Sequence, residues 1–151
     1  MDFRCLRFPL VISPYAPPAA LTAFPSHAFK AACNGEKHFT FPVNADTGMS
    51  TLFLNDVVKS IIEIMATDRA NIKQHAYSLH SYFVSSRMVA DAILQKYPDM
   101  EFSYEPVEAV EFMLSSLPEV LIDQNARNDW GWHPDFDFEK SADNMFELFS
   151  R

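Results

Sequence analysis

Short strand-like runs alternate with capped amphipathic helices along most of this 151-residue chain. That alternation points to an α/β architecture, in which helices cover the faces of a largely parallel sheet. The clearest instance is central. Thr51-Leu52-Phe53-Leu54 is a short extended run, Asp56 is placed to cap a helix, and Val57, Val58, Ile61, Ile62 and Met65 fall on one helical stripe. Residues 3–12 predict a strand in which Phe3, Cys5 and Leu10 to Ile12 suit buried positions and Pro9 marks the exit. Residues 37–43 and 75–79 and the alternating run Glu101 to Glu105 predict further strands.

Helices are expected over 26–33, with Ser26 as N-cap and Asn34-Gly35 as the stop. Ser85 should cap a helix carrying Met88, Val89, Ala92 and Ile93 that ends before Pro98. Over 107–116, Val107, Val110, Met113 and Leu114 point inward. Asp123 caps a short helix ending at Gly131, and Asp137 a last one in which Ala142, Met145, Phe146 and Phe149 share a side. Connections are mostly short, so the chain reads as one unit.

The first strand begins almost at residue 1, whereas a central parallel strand needs neighbours reached by crossovers of a dozen or more residues. The expectation is that Met1 stands inside a larger fold. The competing reading is a compact domain whose first strand is an edge.

Charge excludes some partners. Residues 99–151 hold thirteen acids and three Lys/Arg, and the whole chain carries −8. Such a surface repels nucleic acid and anionic lipid, and no run of 18 apolar residues is present to span a membrane. Cys5 and Cys33 form no CxxC and are expected to be reduced thiols. The five histidines do not suggest a metal site. His75 and His80, five apart, would face opposite sides of a strand. No GxSxG elbow is present. Trp130, Trp132 and Phe136 are expected to pack the closing helices.

Three stretches carry a family resemblance. Asp2-Phe3-Arg4-Cys5-Leu6-Arg7-Phe8-Pro9 resembles the strand after the catalytic helix in L-threonine 3-dehydrogenases of the extended short-chain dehydrogenase type. Leu52-Phe53-Leu54-Asn55-Asp56 resembles that family's strand-to-helix element, and residues 123–137, which include Asp129-Trp130-Gly131-Trp132-His133-Pro134, resemble its closing signature. The resemblance implies the carboxy-terminal, substrate-binding portion of that α/β fold. Residues 1–13 would be the last part of a Rossmann-type sheet, with one or two of its strands, and 14–151 a substrate-binding lobe. The nucleotide-binding half would be incomplete.

It also implies an NAD-dependent oxidoreductase of threonine catabolism, in the cytoplasm or the mitochondrion, acting on a small-molecule substrate, L-threonine or similar. The backbone of Pro9, Leu10 and Val11 would pass beside the nicotinamide. Thr22 retains a hydroxyl of the substrate loop, and Leu117 stands where a tryptophan is usual. Gly48 replaces the family's arginine, and Pro18 to Ala23 replace a glycine-rich run.

The family's catalytic apparatus does not occur in these residues. There is no GxxGxxG or GxGxxG to seat a pyrophosphate, and no tyrosine is followed four residues on by lysine. No catalytic residue is therefore assigned here, and NAD binding by the chain alone should be weak or absent. A second reading comes from another class. It is a non-catalytic binding or assembly module that docks with a partner or forms a homodimer, since loss of a covering lobe leaves apolar surface exposed.

Overall fold

A computed structural model describes residues 2–150. In chain order the elements are β1 (Cys5–Arg7), β2 (Leu10–Ile12), α1 (Phe24–Cys33), β3 (His38–Phe41), β4 (Gly48–Phe53), α2 (Leu54–Ala66), β5 (Ala76–Ser78), β6 (Tyr82–Ser85), α3 (Ser86–Lys96), β7 (Glu101–Tyr104), α4 (Glu108–Ser115), α5 (Gln124–Trp130) and α6 (Phe138–Phe149). The fold is α/β, built on three small sheets. β1 pairs in parallel with β5, and β3 in parallel with β7. In the three-stranded sheet β4 is central, parallel to β2 and antiparallel to β6.

The expected strand over 3–12 is two strands in two sheets. Pro9 lies at the break, not at the exit, because it has no N–H to give a ladder. Leu10 then pairs with Thr51, while Arg7 stays with Ser78. Phe3, expected to be buried, is 55% exposed. β4 begins at Gly48, earlier than its apolar run. β6 was not anticipated: its Tyr82-Phe83-Val84 run is short and lies directly against the Ser85 cap.

Two packed cores result. The larger gathers Phe24, Phe29, Phe41, Phe53, Val84, Ile93, Met145 and Phe146 between α1, α3, α6 and the strands they cover. The smaller centres on Leu52, Ile64, Tyr77, Leu79 and Trp132, beneath α2 and α5. Ser85 accepts from the Met88 N–H at 3.3 Å, and Asp137 from that of Lys140 at 2.8 Å, so both expected caps hold. α1 ends through Gly35 at φ +79° and α5 through Gly131 at φ +75°.

Three expected caps do not form. α1 starts at Phe24 with Pro25 in its first turn, so Ser26 lies inside the helix and its hydroxyl instead accepts from the Ser13 N–H at 3.1 Å. Asp123 precedes α5 but its carboxylate turns to Arg127. Asp56 lies within the first turn of α2, whose N-cap is Phe53. The apolar stripe of α2 is a core face only at Val57, which is half-buried against the smaller core. Val58, Ile61, Ile62 and Met65 are 49%, 42%, 63% and 73% exposed, and the buried residues are Asp56, Ser60 and Ile64. Val107, just before α4, and Met113 within it are exposed, while Val110 and Leu114 are buried.

Candidate functional site

The break at Pro9 shapes the surface. As the chain leaves β1 for β2 it borders a cleft of about 510 Å³ lined by Arg7, Phe8, Pro9, Leu10, Thr22, Met49, Ser50, Ser78 and, from α4 and the segment after it, Leu114, Leu117, Pro118 and Leu121. Thus four sequence-predicted residues, Pro9, Leu10, Thr22 and Leu117, border one space. The fifth, Val11, lies on an adjoining trough of about 370 Å³ shared with Pro9, Leu10 and Thr22 and walled by Tyr15, Pro17 and Ala23.

The cleft wall is mostly apolar with a few polar groups, the usual make-up of a small-molecule site. Its hydroxyls come from Thr22, Ser50 and Ser78. Ser50 Oγ is 2.7 Å from His80 Nδ1. Burial pushes the His80 pKa down, opposed by the nearby Asp123 and helped by Arg127. A neutral imidazole can accept from the serine, which turns the serine lone pairs toward the cleft. His75 and His80 both lie outside β5, so their strand geometry does not arise. Among the described residues no group of three or more His, Cys, Asp or Glu is arranged to hold a metal ion.

Asp56 is not among the residues lining this cleft. It is completely buried, and its two carboxylate oxygens accept from the backbone N–H groups of Asp135 and Phe136 at 2.9 and 3.1 Å. Burial pushes its carboxyl upward, and these two bonds pull it partly back. Lys59 adds an ion pair to Asp135 at 2.8 Å, and the Phe53 and Phe136 rings lie 4.8 Å apart. The closing segment is thereby fastened to the start of α2. Trp132 is buried and Trp130 packs edge-on to Tyr77, so both rings serve packing.

No family model matches the chain. Comparison with known proteins nonetheless has a consistent result. The chain is 26% identical over 150 residues to the mitochondrial L-threonine 3-dehydrogenase of Bos taurus, a match that covers 98% of this chain and 40% of the bovine protein. It superposes with a TM-score of 0.92, at 25% identity, on a monomeric L-threonine 3-dehydrogenase of metagenomic origin, covering 99% of this chain and 48% of that one. The chain is thus similar, in sequence and in fold, to part of these L-threonine 3-dehydrogenases. The GalE-like L-threonine dehydrogenase of Cupriavidus necator, in its holo form, matches with a TM-score of 0.91 at 25% identity, over 97% of this chain and 48% of its own.

The chain has the fold of about half of an extended short-chain dehydrogenase, and spans less than half the length of these relatives. Within the described residues no helix is long and apolar enough to cross a membrane.

Sequence reasoning did not single out Arg7, Met49, Ser50 or Ser78. Arg7 sat inside the stretch that carries the resemblance, two residues before Pro9. Ser50 and Ser78 meet Arg7 only through the pairing of separate strands, which no local pattern announces.

Proposed function

We propose that this chain is the substrate lobe of an NAD-dependent oxidoreductase that converts L-threonine to 2-amino-3-ketobutyrate. The observation that supports this best is the shared cleft. The residues assigned to the nicotinamide side, Pro9 and Leu10, and to the substrate side, Thr22 and Leu117, line one space although more than a hundred positions separate the first from the last.

The residues present fit one end of the cofactor. β2 is an edge strand with one side unpaired, and beside it Pro9, Leu10 and Val11 form an apolar wall. Pro9, Leu10 and Val11 are the residues that would hold the nicotinamide end. Neither this trough nor the cleft has a glycine among its lining residues, so the pyrophosphate has no cradle there. When bound, NAD would supply the hydride acceptor. The chain's own contribution is to wall the ring from water and to position the substrate through Thr22 and its neighbours.

The test is a reconstitution. Purified alone, the chain should give no threonine-dependent NADH. Mixed with the nucleotide-binding half of a relative such as the bovine enzyme, it should give measurable NADH that is lost when the Thr22 hydroxyl is removed. Turnover by the chain alone, or activity indifferent to Thr22→Ala, would refute the assignment.

A second reading, docking or self-association, is favoured by a specific observation. The outer face of α2 and the neighbouring Phe3 and Phe8 of the first strand region expose large apolar side chains.

A further inference from the structure

Among the described residues Arg7 is the one charged side chain lining the 510 Å³ cleft, and its guanidinium has no hydrogen bond or ion pair with any of them. Its backbone, by contrast, is fixed. Arg7 is in register with Ser78, and its carbonyl accepts from the Leu79 N–H at 3.1 Å. The chain carries a net charge of −8, so acidic partners for an arginine are plentiful. Arg4, on the same strand region, is paired with Asp2 at 2.6 Å, as Arg87 is with Asp46 at 2.8 Å. No acid lines the cleft beside Arg7.

We propose that Arg7 is the anion-recognition residue of this cleft, which takes a small carboxylate with a short, mainly apolar body. A guanidinium presents a planar fork that matches a carboxylate with two parallel bonds. The apolar wall formed by Leu10, Leu114, Leu117 and Leu121 gives the body of the ligand a surface to lie against, while Arg7 itself stands exposed at the cleft. Ser50, held by His80, and Ser78 add hydroxyls for the remaining polar atoms of the ligand. This deepens the threonine reading and rests on it for the substrate, but not for the charge.

The experiment is a titration of the 151-residue chain followed by backbone amide shifts, with L-threonine, L-threoninamide and butyrate as probes. Threonine should move the amides of Leu10 and Thr22 saturably, and threoninamide, which lacks the anion, should bind at least ten-fold more weakly. Arg7→Gln should weaken threonine and butyrate about ten-fold and abolish the preference over the amide, with Arg7→Lys in between. The side chain has no polar partner among the described residues, so the variants should keep the parent spectrum elsewhere. Equal binding of threonine and its amide, or threonine binding unchanged in Arg7→Gln, overturns the role of Arg7 and leaves the threonine reading standing. Butyrate binding through Arg7 without threonine binding does the reverse. No saturable shift with any probe overturns both.

Discussion

The Asp56 carboxylate accepts from two backbone N–H groups eighty residues away in sequence, those of Asp135 and Phe136. Asp56→Ala takes the acceptor away from both part-buried donors and should lower stability by about 1–3 kcal/mol. Asp56→Asn keeps one acceptor but sets its amide N–H₂ against the second donor, and should fall between. Urea melts of the two variants check this, and equal midpoints for parent and alanine variant would exclude the clamp. His80 gives a pH signature of defined sign. Its folded pKa is depressed by burial, so the stability it contributes is present above the unfolded value of about 6.5 and is lost as pH falls through the folded value. Denaturation midpoints should therefore fall as pH is lowered from above the unfolded value through the depressed folded one, and His80→Gln, which does not titrate, should flatten that part of the fall. At this scale the sequence was partly legible. Asp56 stood out as a polar residue opening an apolar helix, yet cap chemistry explained it locally. Its true partners are backbone groups of the closing segment, and backbone groups leave no mark in a sequence.

Elements show where local pattern reaches its limit. The caps at Ser85 and Asp137, the glycine stops at Gly35 and Gly131, and the inward faces of α3 and α6 were all readable, because each depends on residues within one or two turns. The division of residues 3–12 between two sheets was not, since it is decided by which distant strand each half meets. Gly48 belongs to the same class. It pairs with Ser85 across the antiparallel β4–β6 ladder, and a Cβ there would lie 2.3 Å from the Val84 carbonyl oxygen and 2.8 Å from the Ser85 Cα. Backbone cannot yield as a flexible side chain does. Gly48→Ala should therefore cost about 1–3 kcal/mol by overpacking, and Gly48→Arg, which restores the residue usual in the resembled family, should cost more rather than rescue anything. Thermal melts of both variants decide it. A Gly48→Arg chain as stable as the parent would mean that β6 can move away from β4.

For the molecule as a whole, the stripe on α2 is the feature that most needs an explanation. Its periodicity was read correctly, and the structure turns all of it but Val57 outward. Val58, Ile61, Ile62 and Met65 face away from the smaller core, and beside them a shallow pocket is walled by Leu6, Phe8, Ile61, Ile64 and Met65. Arg4 fastens this corner by donating to the Thr67 carbonyl at 2.8 Å and to that of Ile64, so helix and strand present their apolar groups as one fixed face. β1 is paired on one side only, with β5, which leaves a parallel strand edge beside that face. An open parallel edge next to an apolar helix is half of a layer, and water is a poor cover for it. The 151-residue chain on its own should accordingly self-associate in a concentration-dependent way, measured by light scattering across a dilution series. Replacing Ile62 and Met65 together by lysine should convert it to a monomer with little loss in melting temperature, because both side chains are already largely exposed. If the parent is monomeric at every concentration, the α2 face tolerates water and the docking reading fails. If the double-lysine variant still associates, the contact lies elsewhere, and the exposed Phe112, Val120 and Ile122 of the α4 region become the surface to mutate next.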